Sequence, residues 1–243
     1  MEKLLFVDID GTIARDTGEI SETAKKTLKK FKNIILTTGR ARSEVKKICD
    51  ELGFRYFISS YGTELYDNYE NKVLYNLTLD SNVILKIYEL ALANDLSLIA
   101  AIEDKEIEIT KENYICFIKN VKQCMIKGSN EKLNVLRAEI KGLCEIKYQR
   151  DNAYENGYYW FSILPKDANK GTAAVYLMKL LNIDAKNTMA FGNDANDIPL
   201  FIAVSGNKVA VGNSCEELKR NATIIIGDNN TDSVKKYLQC IIS

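Results

Sequence analysis

Short solid runs of apolar residues alternate along this chain with stretches in which apolar positions recur every three or four residues. The first run, Leu4-Leu5-Phe6-Val7, has no polar interruption. That pattern marks a strand buried on both faces rather than one lying half in water. A helical pattern from Ser21 to Phe31 follows, with Ser21 as its N-cap, and then the run Asn33-Ile34-Ile35-Leu36. A helix over 43–52 and a strand at Tyr56-Phe57-Ile58 complete a β-α-β-α-β series, the pattern of a parallel sheet covered by helices. Thr63 to Leu77 reads as a hairpin, with turn residues at Asp67-Asn68 and Glu70-Asn71.

The pattern then changes. Ile84 to Leu92 and Asn130 to Lys141 are predicted helices, and Leu96 to Ile102, Glu106 to Ile109, Cys144 to Tyr148 and Tyr158 to Leu164 predicted strands. Strict alternation resumes with a helix over 171–181, a strand over 187–191, a strand over 208–211, a helix near 216–220 and a strand over 223–226. A parallel core split in sequence by an α+β segment is the consequence. The expected fold is α/β: a Rossmann-like doubly wound parallel sheet formed by residues 1–79 and 165–243, with an inserted α+β cap domain over 80–164.

Composition narrows the chemistry. With 46% hydrophobic and 27% charged residues and a formal net charge of +0, the chain has no electrostatic bias toward nucleic acid or a membrane surface. Its six cysteines show no C-x-x-C pairing, which fits free thiols in a reducing compartment, and the amino terminus lacks an apolar leader, so a cytoplasmic protein is expected. Nothing in the pattern requires an obligate protein partner. Histidine is absent altogether, which removes Ser-His-Asp and Cys-His nucleophile systems and histidine-ligated zinc. Any catalysis falls to carboxylate, lysine, hydroxyl and thiol groups.

Three predicted strand ends carry such groups. Asp8-Ile9-Asp10-Gly11-Thr12 follows the first run directly. On an extended chain Ile9 points away, leaving Asp8 and Asp10 as a close pair on one side, suited to a hard cation, an acid/base couple or both. Thr38, backed by Gly39, ends the second strand and serves either a ligand or the next helix as its cap. Asn193, Asp194 and Asp197 follow the fourth core strand, where an acidic cluster suits magnesium, or is simply a polar turn. Lys170 with Gly171 and Thr172 opens a helix, where backbone N–H groups and an ammonium favour phosphate. In a doubly wound sheet these strand ends converge on one crevice.

Taken together, Asp8-Ile9-Asp10-Gly11-Thr12, Thr38-Gly39-Arg40, Lys170-Gly171 and Gly192-Asn193-Asp194-Ala195-Asn196-Asp197 resemble the four motifs of the haloacid dehalogenase-like superfamily. The chain is most similar there to the Cof-type sugar-phosphate phosphatases with a type IIB cap. One departure stands out: Asn193 occupies the place where the family usually has the first aspartate of its fourth motif. The resemblance implies Asp8 as nucleophile and Asp10 as general acid and base, with Gly11, Thr12, Thr38, Gly39 and Lys170 on the phosphate. It further implies magnesium held among Asp8, Asp10, Asn193, Asp194 and Asp197, and a cap that selects the leaving group, for which Tyr158 and Trp160 are candidates. The implied activity is magnesium-dependent hydrolysis of a small phosphorylated metabolite, a sugar phosphate, nucleotide or pyridoxal phosphate, through an aspartyl phosphate. Two alternatives remain open at this stage. A phosphomutase would need a second phosphate site, for which the segment 119–127 is the candidate; a phospho-ligand-binding regulator without turnover is motivated by Asn193.

Overall fold

A computed structural model describes residues 3–102, 105–116, 119–149 and 158–242. The chain divides into two compact units, Met1–Tyr75 with Asn169–Ser243, and Asn76–Ala168. Both junctions lie four residues from the boundaries expected at 79/80 and 164/165. Leu79 accounts for the first shift, since its side chain packs in the core of the second unit and its N–H donates to the Val121 carbonyl.

The first unit opens with β1 (Leu4–Asp8), α1 (Glu22–Leu28), β2 (Ile34–Thr37), α2 (Arg42–Leu52), β3 (Tyr56–Ser59) and the hairpin β4 (Glu64–Asp67) and β5 (Lys72–Asn76). Ser21 caps α1 as expected, its Oγ accepting from the Ala24 N–H at 3.1 Å. The second unit contains α3 (Ser81–Ala93), β6 (Ser97–Ile102), β7 (Lys105–Glu108), β8 (Val121–Ser129), α4 (Asn130–Glu139), β9 (Glu145–Gln149) and β10 (Tyr158–Leu164). The chain then returns through α5 (Lys170–Leu180), β11 (Thr188–Gly192), α6 (Ile198–Ala203), β12 (Lys208–Ala210), α7 (Glu216–Asn221), β13 (Ile224–Ile225) and α8 (Ser233–Ile242).

Eight strands of the first unit form one sheet in the order β13-β12-β11-β1-β2-β3-β4-β5. Pairing is parallel from β13 to β3 and antiparallel between β3 and β4. The chain builds outward from β1 to β3 on one side and from β11 to β13 on the other, so β1 lies at the point where strand order reverses. A crevice opens there beyond the carboxyl ends of the strands. Alternate residues of β1 serve two cores: Leu5 and Val7 pack with α1, α2 and α8 residues such as Leu28, Val45 and Leu238, while Leu4 and Phe6 pack with α5 and α6 residues such as Leu177 and Phe201. That double burial is why the run carries no polar residue.

The second unit is a five-stranded antiparallel sheet in the order β7-β6-β8-β10-β9, with α3 and α4 contributing to its core. Most of the segment 119–127, the candidate for a second phosphate site, forms part of the sheet's central strand, β8. Gln123 and Lys122 are buried there, and Gln123 Nε2 donates to Ser162 Oγ at 2.9 Å. Lys122, Gln123 and Lys127 break the apolar pattern, which hid the strand from periodicity. Helices α6 and α8 were likewise not foreseen. Among the described residues, no helix is long and apolar enough to cross a membrane.

Candidate active site

Strand β1 ends at Asp8, whose carboxylate is buried where the crevice opens. Thr12, one helical turn further on, donates its hydroxyl to Asp8 Oδ2 at 2.9 Å. Lys170 arrives from the first position of α5, a helix whose start is set by Asn169 accepting from the Thr172 N–H at 2.9 Å. The ammonium, with 1% of the side chain exposed, donates to Asp8 Oδ1 and to Asp197 Oδ1, each at 2.6 Å. Asp197, fully buried, uses its second oxygen to accept the N–H groups of Asn193 at 2.9 Å and Asp194 at 3.2 Å.

Two carboxylates around one ammonium leave this buried cluster with one net negative charge. Burial accordingly pushes the Asp8 carboxyl up to about 7; Lys170 opposes that rise and Asp197 adds to it. Burial alone would lower the Lys170 ammonium, but the charges of Asp197 and Asp8 outweigh it and hold the group well above its ordinary range.

Asp10 lies past the end of the extended strand. The strand stops at Asp8, and Ile9–Ile13 form a wide helical turn interrupted at Asp10 (φ −74°, ψ 123°) and at Gly11 (φ 70°). Ile9 goes into the core, and the Asp10 side chain is 54% exposed, gripped in a fork by Arg40 with Nε to Oδ2 at 2.9 Å and Nη2 on Oδ1. The two aspartates therefore meet different cations in different surroundings. Arg40 was visible as part of Thr38-Gly39-Arg40, but its place on Asp10 was not.

Thr38 is buried, and its Oγ1 accepts from the Arg40 N–H at 3.1 Å, closing a tight turn. The cap reading of Thr38 does not hold, because the N-cap of α2 is Ala41. Gly11 is sandwiched by amides: Asn213 Nδ2 donates to its carbonyl at 2.8 Å, and a Cβ on Gly11 would lie 2.2 Å from Asn193 Nδ2. Asn193 Oδ1 in turn lies 3.4 Å from Thr12 Oγ1.

The expected metal set does not converge as a whole. Among the described residues, no three Asp, Glu, His or Cys side chains form a cluster able to hold a metal ion. Asp10 is held by Arg40, Asp197 has both oxygens engaged, and the exposed Asp194 turns back on its own loop to accept from the Ala195 N–H at 2.7 Å. Asp8 and Asn193 both border the Thr12 hydroxyl. Tyr158 and Trp160 belong to β10, and their side chains lie outside the described residues, as does Tyr154.

The sequence pattern of haloacid dehalogenase-like hydrolases matches residues 5–121 and 103–238. A 5-amino-6-(5-phospho-D-ribitylamino)uracil phosphatase of Bacillus subtilis is 26% identical over 248 residues, covering 98% of this chain and 94% of that protein. The crystal structure of a haloacid dehalogenase-like hydrolase from Bacteroides thetaiotaomicron superposes with a TM-score of 0.84 at 21% identity, covering 99% of this chain and all of that one. A sugar phosphatase of subclass IIB in the same superfamily superposes with a TM-score of 0.79 at 19% identity, covering 98% of each chain.

The burial of Asp8 predicts a pH-dependent stability. Asp8 titrates near 7 in the folded chain and at 3.8 when free, so folding takes up a proton between those values. The stability this contributes is complete below 3.8 and is lost as pH rises through 7. Asp8→Asn mimics the neutral form at every pH. Its melting temperature in the presence of a chelator should exceed that of the wild type at pH 8, with the gap closing as pH falls toward 5. A gap of the opposite sign at pH 8, or one independent of pH, would show that burial does not raise the titration of Asp8.

Proposed function

The chain belongs to the haloacid dehalogenase-like hydrolase family, and on that footing we propose that it is a magnesium-dependent phosphomonoesterase acting on a small phosphorylated metabolite through an aspartyl phosphate. The observation that carries this is the buried Asp8 carboxylate, fixed between Lys170 and Thr12 at the strand end where order reverses. A nucleophile so held has little freedom to lose on reaching the transition state. Its oxygen attacks phosphorus as the bond to the leaving alcohol breaks, and Asp10 supplies the proton that the alcohol takes. Water then attacks the acyl phosphate, Asp10 accepts its proton, and orthophosphate leaves with the Asp8 carboxylate restored. Lys170 and the Thr38 turn stabilise the charge on the phosphoryl oxygens.

A hard divalent cation fits the donor set that remains, since Asp8 and Asn193 offer only oxygen and the cluster has an uncompensated negative charge. Magnesium bound by these two residues, with waters completing its shell, would neutralise both the cluster and the incoming phosphate. With one carboxylate and one neutral amide as ligands, its hold is weak. The Bacillus phosphatase and the subclass IIB sugar phosphatase support a phosphorylated sugar or ribityl compound as the substrate class.

Asp8→Asn should lower turnover of p-nitrophenyl phosphate and of sugar phosphates by about a thousandfold or more while the protein stays folded, as loss of a nucleophile does. Near wild-type turnover by that variant, assayed with added magnesium, would refute the assignment. The same screen, run on the wild type, addresses the reading of the chain as a binder without turnover.

Asn193→Asp adds a negative charge at the cation and should lower, several-fold, the magnesium concentration giving half-maximal rate, whereas Asp194→Asn should leave it unchanged. A rise with Asp194→Asn and no response to Asn193→Asp would move the ligand one residue along the chain.

A further inference from the structure

The segment following β3 has a backbone that its own sequence disfavours. Ser60 (φ 48°) and Tyr61 (φ 57°) are consecutive non-glycine residues in the left-handed region, followed by Gly62 at φ 95°. A side chain there crowds the adjoining carbonyl, and a bulky aromatic residue is a genuine outlier. Ordinary core packing of a tyrosine requires no such conformation.

The strained backbone aims three groups at one short loop. The Ser60 N–H donates to the Arg40 carbonyl at 2.9 Å and the Tyr61 N–H to the Thr38 carbonyl at 3.0 Å. Between them the buried Tyr61 ring lies so close on Gly39 that a Cβ there would fall 2.6 Å from ring carbon Cζ. Every residue of Thr38-Gly39-Arg40 is thus gripped from the same turn. On the turn's other side, a Cβ on Gly62 would come within 2.2 Å of the Asn169 carbonyl oxygen and 2.7 Å of the Lys170 nitrogen. Just beyond it, the buried Glu64 carboxylate meets Arg42 at 3.4 Å. Thr38 lies between β2 and α2, Lys170 begins α5, and the turn at 60–62 touches the backbone of both.

We propose that Ser60-Tyr61-Gly62 is the positioning element of the phosphate site, with Tyr61 its positioning residue: the turn fixes the Thr38 loop and the start of α5 against each other, so that two phosphate-binding groups from separate segments keep one spacing. This rests on the assignment of Thr38 and Lys170 to phosphate binding. Strain retained beside a site is sustained by what it positions, and small displacements of binding groups are costly to catalysis.

The experiment measures orthophosphate affinity by calorimetry, with melting temperature alongside, for Tyr61→Asn, Tyr61→Phe, Gly39→Ala and Thr38→Ala. Asparagine tolerates the left-handed backbone but removes the ring, so folded Tyr61→Asn should bind orthophosphate about tenfold or more weakly, while Tyr61→Phe, which keeps the ring, recovers the affinity. Gly39→Ala drives a methyl into the ring and should reproduce the loss, with no further loss when it is combined with Tyr61→Asn. Gly39→Ala also provides the readout if Tyr61→Asn does not fold. Wild-type affinity in folded Tyr61→Asn or in Gly39→Ala, or losses that simply add in the double variant, would overturn the positioning role while Thr38→Ala still loses phosphate. Wild-type affinity in Thr38→Ala would instead overturn the assignment of the site, and the clamp with it.

Discussion

The buried ammonium of Lys170, shared between Asp8 and Asp197, is the interaction on which the rest of the site depends. A carboxylate taken out of water at a strand end is costly unless a cation accompanies it, and removing one partner of such a set leaves an uncompensated buried charge. The cluster joins the end of β1, the start of α5 and the turn before α6, distant segments of which Asp8 and Lys170 alone are 162 residues apart in sequence. The second oxygen of Asp197 is spent on the N–H groups of Asn193 and Asp194, so the charge that holds Lys170 also fixes the loop following β11. One cation therefore organises three of the four motif segments, and Arg40 pairs with Asp10.

This arrangement is open to chemistry because it is incomplete. Two carboxylates face one ammonium, and burial at the strand end raises the titration of Asp8 despite the opposing charge of Lys170. A protein selected only for stability would close that gap with a second lysine or replace a carboxylate by an amide.

The parallel sheet explains why such a site can be assembled at all. Strands β1, β2 and β11 are hydrogen-bonded neighbours in register, Val7 beside Leu36 and Phe191, so the chain leaves the sheet at one edge in three adjacent places. The polar residues that follow are brought together by backbone pairing rather than by their own attraction. Geometry finer than that must come from the connections, and those are the tight and strained places: Gly11 between two asparagine amides, Gly39 beneath Tyr61, and Gly62 against the start of α5.

The sequence by itself determined the strands with uniform burial, the helices with clear periodicity, and the identity of the polar residues at the strand ends. These are local consequences: a run such as Leu4-Leu5-Phe6-Val7 has one stable use, between two layers of helix. Strand β8 was illegible because Lys122, Gln123 and Lys127 interrupt its apolar pattern, and Gln123 is buried only because Ser162, thirty-nine residues away, supplies its partner. Asp8 and Asp10 were placed on one extended strand because two residues of spacing says nothing about where a strand stops. Tertiary structure ended the strand at Asp8, gave Lys170 to one aspartate and Arg40 to the other, and set both oxygens of Asp197 on partners from elsewhere in the chain. Which charges meet is decided by partners from distant segments, and the energy of a buried ion depends on those partners far more than on its neighbours in sequence.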